Sequence, residues 1–187
     1  MPPPEPVPLH RVTLADLMDS PSASPEWEAS IILACADPAY EDARIGANPI
    51  ARHLMAREDH GRYVREVAFD VPAFTCVVPA RRAHAQFMAV IREATGEVVA
   101  GIHDRNIYVL PAFRGRGIGA ELLVRAFETG QRHPETMNRD NSLTTAGRAN
   151  RRAAHRLAVT RALDAGEEVP DDVMADYPDL AGPGPRP

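Results

Sequence analysis

The hexapeptide Arg114-Gly-Arg-Gly-Ile-Gly119 constrains this chain more than any other stretch, because of what flanks it. Before it, Ile107, Tyr108, Val109 and Leu110 form a compact apolar run suited to a buried strand. Pro111 ends that strand, since proline has no N–H to give a sheet ladder. After it, residues 120–127 are strong helix formers, with Leu122, Leu123 and Ala126 spaced to line one face. The pattern predicts strand, glycine turn, helix. Gly117 and Gly119 carry no Cβ, so backbone N–H groups there can approach a ligand closely. A helix start has four donors without internal partners and the positive end of the helix dipole. The expected ligand group is therefore a phosphate or pyrophosphate.

Two familiar phosphate loops are excluded by the same residues. A dinucleotide fold needs GxGxxG within a βαβ unit, whereas Gly115-x-Gly117-x-Gly119 has the wrong spacing and no βαβ pattern follows. A P-loop needs Gly-Lys-Ser/Thr, and all 21 basic residues of this chain are arginine. The 187 residues suit one domain with a real core, and no apolar run approaches a membrane span. The opening MPPPEPVP is proline-rich rather than apolar, so no secretory signal is expected. Cys35 and Cys76 form no CxxC and no metal spacing, which points to buried thiols, a reducing cytoplasm and no metal. A net charge of −5 argues against a protein that binds nucleic acid through its overall charge.

Along the chain, residues 1–8 read as a flexible proline-rich leader and His10-Arg11-Val12 as a short first strand. Thr13, with Asp16 three residues on, starts a brief helix to Met18. Ser24-Pro25-Glu26 starts a second, and Asn48-Pro49 a third. Residues 63–67 read as a further helical turn, residues 74–78 as an edge strand between two prolines, and residues 86–92 and 97–103 as a hairpin about Ala94-Thr95-Gly96. Residues 131–141 are polar and read as a loop, Leu143-Thr144-Thr145 as a last short strand, and residues 147–165 as a long helix that Gly166 ends. Residues 169–174 read as a short helix with an acidic start. The resulting division is a leader over 1–8, one domain over 9–165 and a partly disordered extension over 166–187.

The residues about the loop resemble the GNAT superfamily of N-acetyltransferases. Its signature Arg/Gln-x-x-Gly-x-Gly/Ala is matched by Arg114-x-x-Gly117-x-Gly119, and the wider pattern by Val109, Pro111, Phe113 and Leu122-Leu123. The run Leu9-His-Arg-Val-Thr-Leu-Ala-Asp16 is similar to the superfamily's entry into its first helix. The resemblance spans residues 9–130 in order of elements and is most specific over 107–123. It implies an α+β fold: a mixed, mostly antiparallel sheet flanked by helices, opened into a V between the fourth and fifth strands, with acetyl-CoA as cosubstrate in the V. By position, Ile107, Tyr108 and Val109 would pair with the pantetheine arm. Gly115, Gly117, Ile118, Gly119 and Ala120 would hold the pyrophosphate, and Arg114 and Arg116 would add charge near it. Asn150 stands where the superfamily carries an Asn before its catalytic tyrosine.

The resemblance weakens at catalysis. Leu157 lies where the tyrosine acid is expected, so His155 and Tyr108 are the remaining candidate acids, and a helix histidine is more often structural. His103 and Asp104, at the end of the strand beside the motif strand, are the candidate bases. Residues 146–180 loosely resemble tails of bacterial phage and mobile-element proteins. There Arg148, Arg152 and Arg156 form a stripe that either meets nucleic acid or, the preferred reading, is a solvated or acid-paired face. The sequence thus predicts a cytoplasmic acetyl-CoA-dependent N-acyltransferase that transfers directly to a small-molecule or protein amine. It is expected to be a monomer or homodimer without membrane or nucleic-acid partners. The alternative is a non-catalytic CoA-binding or interaction module of a mobile element.

Overall fold

The computed structural model describes residues 6–34, 60–80, 87–103, 106–133 and 142–180 of the chain. The helix expected from Asn48-Pro49 lies outside these residues, as do Cys35 and Asp104.

Five strands form one antiparallel meander in the order β1 (Val64–Val67), β2 (Phe74–Pro79), β3 (Phe87–Arg92), β4 (Glu97–His103) and β5 (Asn106–Val109). Five helices are described: α1 (Leu14–Met18), α2 (Pro25–Ala34), α3 (Ile118–Glu128), α4 (Thr145–Asp164) and α5 (Asp171–Met174). The class is α+β, as expected, but every strand pair among the described residues is antiparallel. The stretch 143–145 adds no strand to the sheet: Leu143 makes one isolated parallel bridge with Ser22, and Thr144 is already the N-cap of α4.

Two further expectations are corrected. Residues 9–11 form a 3-10 turn, Leu9–Arg11, in which Val12 N–H donates to the Leu9 carbonyl at 3.2 Å. Its buried Leu9 and Val12 face helices rather than a sheet, and three residues carry too little alternation to reveal that. Residues 64–67 are a strand, not a helical turn: Val64, Arg65, Glu66 and Val67 pair with Pro79, Val78, Val77 and Cys76. β1 therefore takes the sheet edge, and β2 is internal.

Local chemistry explains the helix starts. The Thr13 hydroxyl accepts from Asp16 N–H at 3.0 Å and donates to the Asp16 carboxylate at 2.6 Å. Ser24 Oγ accepts from Trp27 N–H at 3.2 Å. α4 begins with two side-chain ties: Thr144 Oγ1 accepts from Gly147 N–H at 3.0 Å, and Glu28 of α2 accepts from Thr145 N–H at 2.8 Å.

α3 packs on one face of the sheet. Ile118, Leu122 and Ala126 meet Phe74, Cys76, Val78, Met88, Val90, Val99, Ala100 and Ile102. A bulge at Val99 sets this face, because Val90 pairs with Ala100 and Ile91 with Val98, leaving Val99 as the extra residue. The other face buries Val64, Val77, Ala89, Ile91 and Val98. Behind α3 a second cluster joins Leu9, Val12 and Leu17 to Leu123, Val124, Phe127, Ala154 and Ala158. Val7 of the expected leader packs against this cluster. Part of the expected extension packs on the domain: Val173 and Tyr177 are buried against Val159 of α4.

Candidate functional site: the β5–glycine turn–α3 junction

β5, a 3-10 turn (Pro111–Phe113), the glycine turn and α3 follow one another as the sequence pattern predicts. Gly115 (φ +76) and Gly117 (φ +81) lie in the left-handed region, where a Cβ is strained, so the turn requires glycine at both. Gly117 is the N-cap of α3, and among the described residues no side chain caps that helix start. The first intrahelical bond is Glu121 N–H to the Gly117 carbonyl, so the N–H groups of Ile118, Gly119 and Ala120 have no partner inside the helix. Arg114, Gly115, Arg116 and Gly117 are exposed, while Ile118 and Ala120 are buried.

Gly119 is tightly placed for a different reason. A Cβ there would stand 2.6 Å from Asn150 Oδ1 and 3.5 Å from Val109 Cγ2. Asn150 Nδ2 donates to the Gly119 carbonyl at 3.1 Å. The structure thus brings Asn150 of α4 against the helix start and β5, as the sequence position suggested.

β5 presents its outer edge among the described residues. Leu110 N–H donates to the Val99 carbonyl at 2.9 Å, and the register pairs Tyr108 with Gly101 and Ile107 with Ile102. Antiparallel alternation then turns the backbone groups of Ile107 and Val109 away from β4. The Val109 carbonyl is engaged by Arg114 Nε at 3.0 Å, and Arg114 Cζ lies 5.6 Å from the Tyr108 ring centroid. Ile107 and Val109 lean toward α3, whereas half-buried Tyr108 packs on the opposite face. Arg116 Cζ lies 5.4 Å from the Phe113 ring centroid.

The proton-transfer candidates separate. His103 ends β4, opposite Phe87 and Asn106 in register. His155 is 0 % exposed, with Nε2 2.6 Å from the Val12 carbonyl and Nδ1 2.7 Å from the Tyr177 hydroxyl. A carbonyl only accepts, so Nε2 carries the proton and donates, and Nδ1 accepts from the Tyr177 O–H. Burial, the leading cause, lowers the His155 pKa below its ordinary value, consistent with that neutral tautomer. His155 is a tie between α4, the N-terminal segment and the C-terminal segment, not a group facing the glycine turn.

Two of the three stripe arginines are engaged within the chain, while Arg152 is exposed. Arg148 donates to the Ser20 carbonyl at 2.8 Å and to Ser22 Oγ at 3.0 Å, and Arg156 pairs with Asp179. Arg151, adjacent to the stripe, donates to the Leu17 carbonyl at 2.6 Å, and burial with Arg148 nearby brings its pKa down to about 10. Cys76 is buried and burial pushes its thiol up to about 12, so it is no nucleophile at neutral pH.

One feature had little sequence signal: an ionic cluster about the buried Glu121 of α3. Glu121, 1 % exposed, meets Arg125 at 2.8 Å and Arg161 at 2.6 Å, and Asp70 meets Arg125 at 2.9 Å and Arg161 at 3.0 Å. Only the Glu121–Arg125 spacing of four was available to the eye, and the partners from residues 70 and 161 arrive through the fold.

Comparison with protein families, curated proteins and solved structures finds no match to this chain. Among the described residues no cluster of three or more His, Cys, Asp or Glu side chains is placed to hold a metal ion, and no helix is long and apolar enough to cross a membrane.

Proposed function

We propose that the chain is an N-acyltransferase that uses acetyl-CoA and transfers the acyl group directly to an amine. The observation that carries this reading is the start of α3, where two left-handed glycines lead into a helix whose first N–H groups no described side chain caps. The diphosphate of the cosubstrate would accept from Ile118, Gly119 and Ala120 N–H. The outward backbone of Ile107 and Val109 supports strand-like pairing with the pantetheine amides. The Val109 carbonyl, which already accepts from Arg114 Nε, has a second lone pair to offer that pairing.

In such a transfer the amine nitrogen attacks the thioester carbonyl, the C–S bond breaks, the nitrogen loses a proton and the departing thiolate gains one. His103, at the end of β4, and the outside-lying Asp104 remain the proposed proton acceptors, and Tyr108 the proposed donor. His155 drops out of that role, since both ring nitrogens are engaged in the interior.

That loss favours a second reading, a CoA-binding module without turnover. Calorimetry with acetyl-CoA tests the common part: binding by the unaltered protein and none by Gly117→Glu, with retained folding by circular dichroism, is expected. No binding by the unaltered protein, or equal binding by a folded Gly117→Glu, sinks both. Thiol release in the presence of a panel of amines separates the two readings, because only the enzyme turns over.

A further inference from the structure

Beyond α4 the chain doubles back as a strap. Gly166 (φ +70) makes the turn, and the N–H groups of Gly166 and Glu167 close the helix end on the Leu163 and Ala162 carbonyls at 3.0 and 2.8 Å. Residues 167–180 then lie against α4, and Val173 and Tyr177 are the only buried residues among them. Beneath the strap sits His155, whose ring is wholly buried and joins the strap to the N-terminal segment. Its two bonds answer a proton in opposite ways. Nε2 donates to the Val12 carbonyl whether the ring is neutral or charged, and a charged ring donates more strongly. Nδ1 accepts from the Tyr177 hydroxyl only while the ring is neutral. With a proton on Nδ1, two donors meet across 2.7 Å unless the Tyr177 hydrogen turns to another acceptor, and among the described residues that hydroxyl has no second partner.

The surrounding charges do not offset such a proton. On the strap, the Asp176 carboxylate favours a charged His155, but it is exposed and accepts from Leu14 N–H at 3.2 Å. On the N-terminal segment, His10 disfavours a second charge nearby, and His10 itself lies in the fields of Arg11, Glu167 and Glu128 of α3. On α4, Arg151 is tied to the Leu17 carbonyl, Arg152 is exposed, and Arg156 pairs with Asp179 of the strap. Burial outweighs Asp176 and lowers the His155 pKa. His10 answers a fall in pH differently. Its Nε2 lies 3.5 Å from Glu167, so a proton there gains a carboxylate at the root of the strap. The root is held while the tip is freed.

We propose that His155 is a pH-sensitive latch: proton uptake at Nδ1 frees Tyr177 and the strap beyond Glu167 from α4, while Val12 stays bound to Nε2. The neutral ring holds the strap above a pH of about 6.5, and the hold is lost as the pH falls toward the lowered folded-state value. Opening uncovers Val159, and Gly166, already in the left-handed region, is the hinge. The device does not depend on the reading of α3 given above.

The experiment is amide hydrogen exchange of the full chain, read residue by residue by NMR at pH 7.5 and 5.5, with each rate divided by its intrinsic value at that pH. Met174, Ala175, Asp176 and Tyr177 N–H groups are bonded within the strap, and Arg11 and Val12 N–H groups within the N-terminal turn. The expected result is a loss of protection of about five- to ten-fold in the strap at pH 5.5, with Arg11 and Val12 unchanged. An imidazole of pKa about 6.5, once uncovered, supplies a factor of that size between the two pH values. Arg156 holds the Asp179 carboxyl below its ordinary value, so that pair does not titrate in this window. His155→Gln is expected to abolish the pH response, and His10→Gln to keep it. Equal strap protection at both pH values overturns the latch. So does a loss shared by Arg11 and Val12, a response that survives in a folded His155→Gln, or one that disappears in His10→Gln. Should His155→Gln fail to fold, the comparison of strap and N-terminal amides in the unaltered protein decides by itself.

Discussion

At the scale of single residues, Gly119 and Glu121 carry the sharpest consequences. Gly119 is not strained; it is small because Asn150 occupies the space its side chain would need. Gly119→Ala is expected to destabilise the fold by about 1–3 kcal/mol through this overpacking. The same change in an Asn150→Ala background should cost clearly less, and urea unfolding of the four proteins measures the coupling. Additive costs would refute the contact as the cause. Glu121→Ala removes the one buried carboxylate of the cluster, while Arg125 and Arg161 both keep Asp70, and a loss of about 1–3 kcal/mol is expected in the same measurement. Neither residue's role was legible in the sequence. The first depends on α4 returning to the glycine turn, the second on Asp70 and Arg161 converging from opposite parts of the chain.

At the scale of elements, what was legible was what neighbours in sequence decide. The caps at Thr13 and Ser24, the Pro111 stop and the strand–turn–helix over residues 106–128 all depend on residues three or four apart, and all are present. α4 extends this logic, since its start uses Thr144 from its own chain neighbourhood and Glu28 from α2. Thr144→Ala should cost about 1 kcal/mol, read as a lowered urea midpoint with unchanged slope. A changed slope would mean that more than the cap was lost. What was not legible was placement in the sheet. β1 has only four residues and one buried valine at its start, so its pairing with β2 left no alternation long enough to distinguish it from a helical turn. Among the described residues no strand follows β5 in the sheet, and the segment about Leu143 bridges to Ser22 instead.

At the scale of the whole molecule, the N-terminal segment is clamped between α3, α4 and the residues after α4. His155 holds Val12, Arg151 holds Leu17, Asp176 accepts from Leu14 N–H at 3.2 Å, and buried His10 lies 3.5 Å from Glu167. Both histidines have pKa values lowered chiefly by burial. The unfolded chain takes up protons as the pH falls below about 6.5, while the folded chain keeps these rings neutral. Their contribution is therefore complete above pH 6.5 and declines as the pH falls toward the lowered folded-state values. A urea midpoint lower at pH 5.5 than at pH 7.5, at constant ionic strength, is expected; an unchanged or higher midpoint would contradict it. Ending the chain after Gly166 removes Val173 and Tyr177 from Val159 together with the Asp176 tie. That truncation is expected to cost about 3 kcal/mol or more, by the same titration. The clamp also orders events during synthesis. Val12 finds His155 only 143 positions later, and Leu14 finds Asp176 after 162. While the ribosome is still making α4, Leu9, Val12 and Leu17 have only the α3 half of their surface, without Ala154 and Ala158, so the nascent chain keeps part of an apolar N-terminal patch in water until translation is nearly complete.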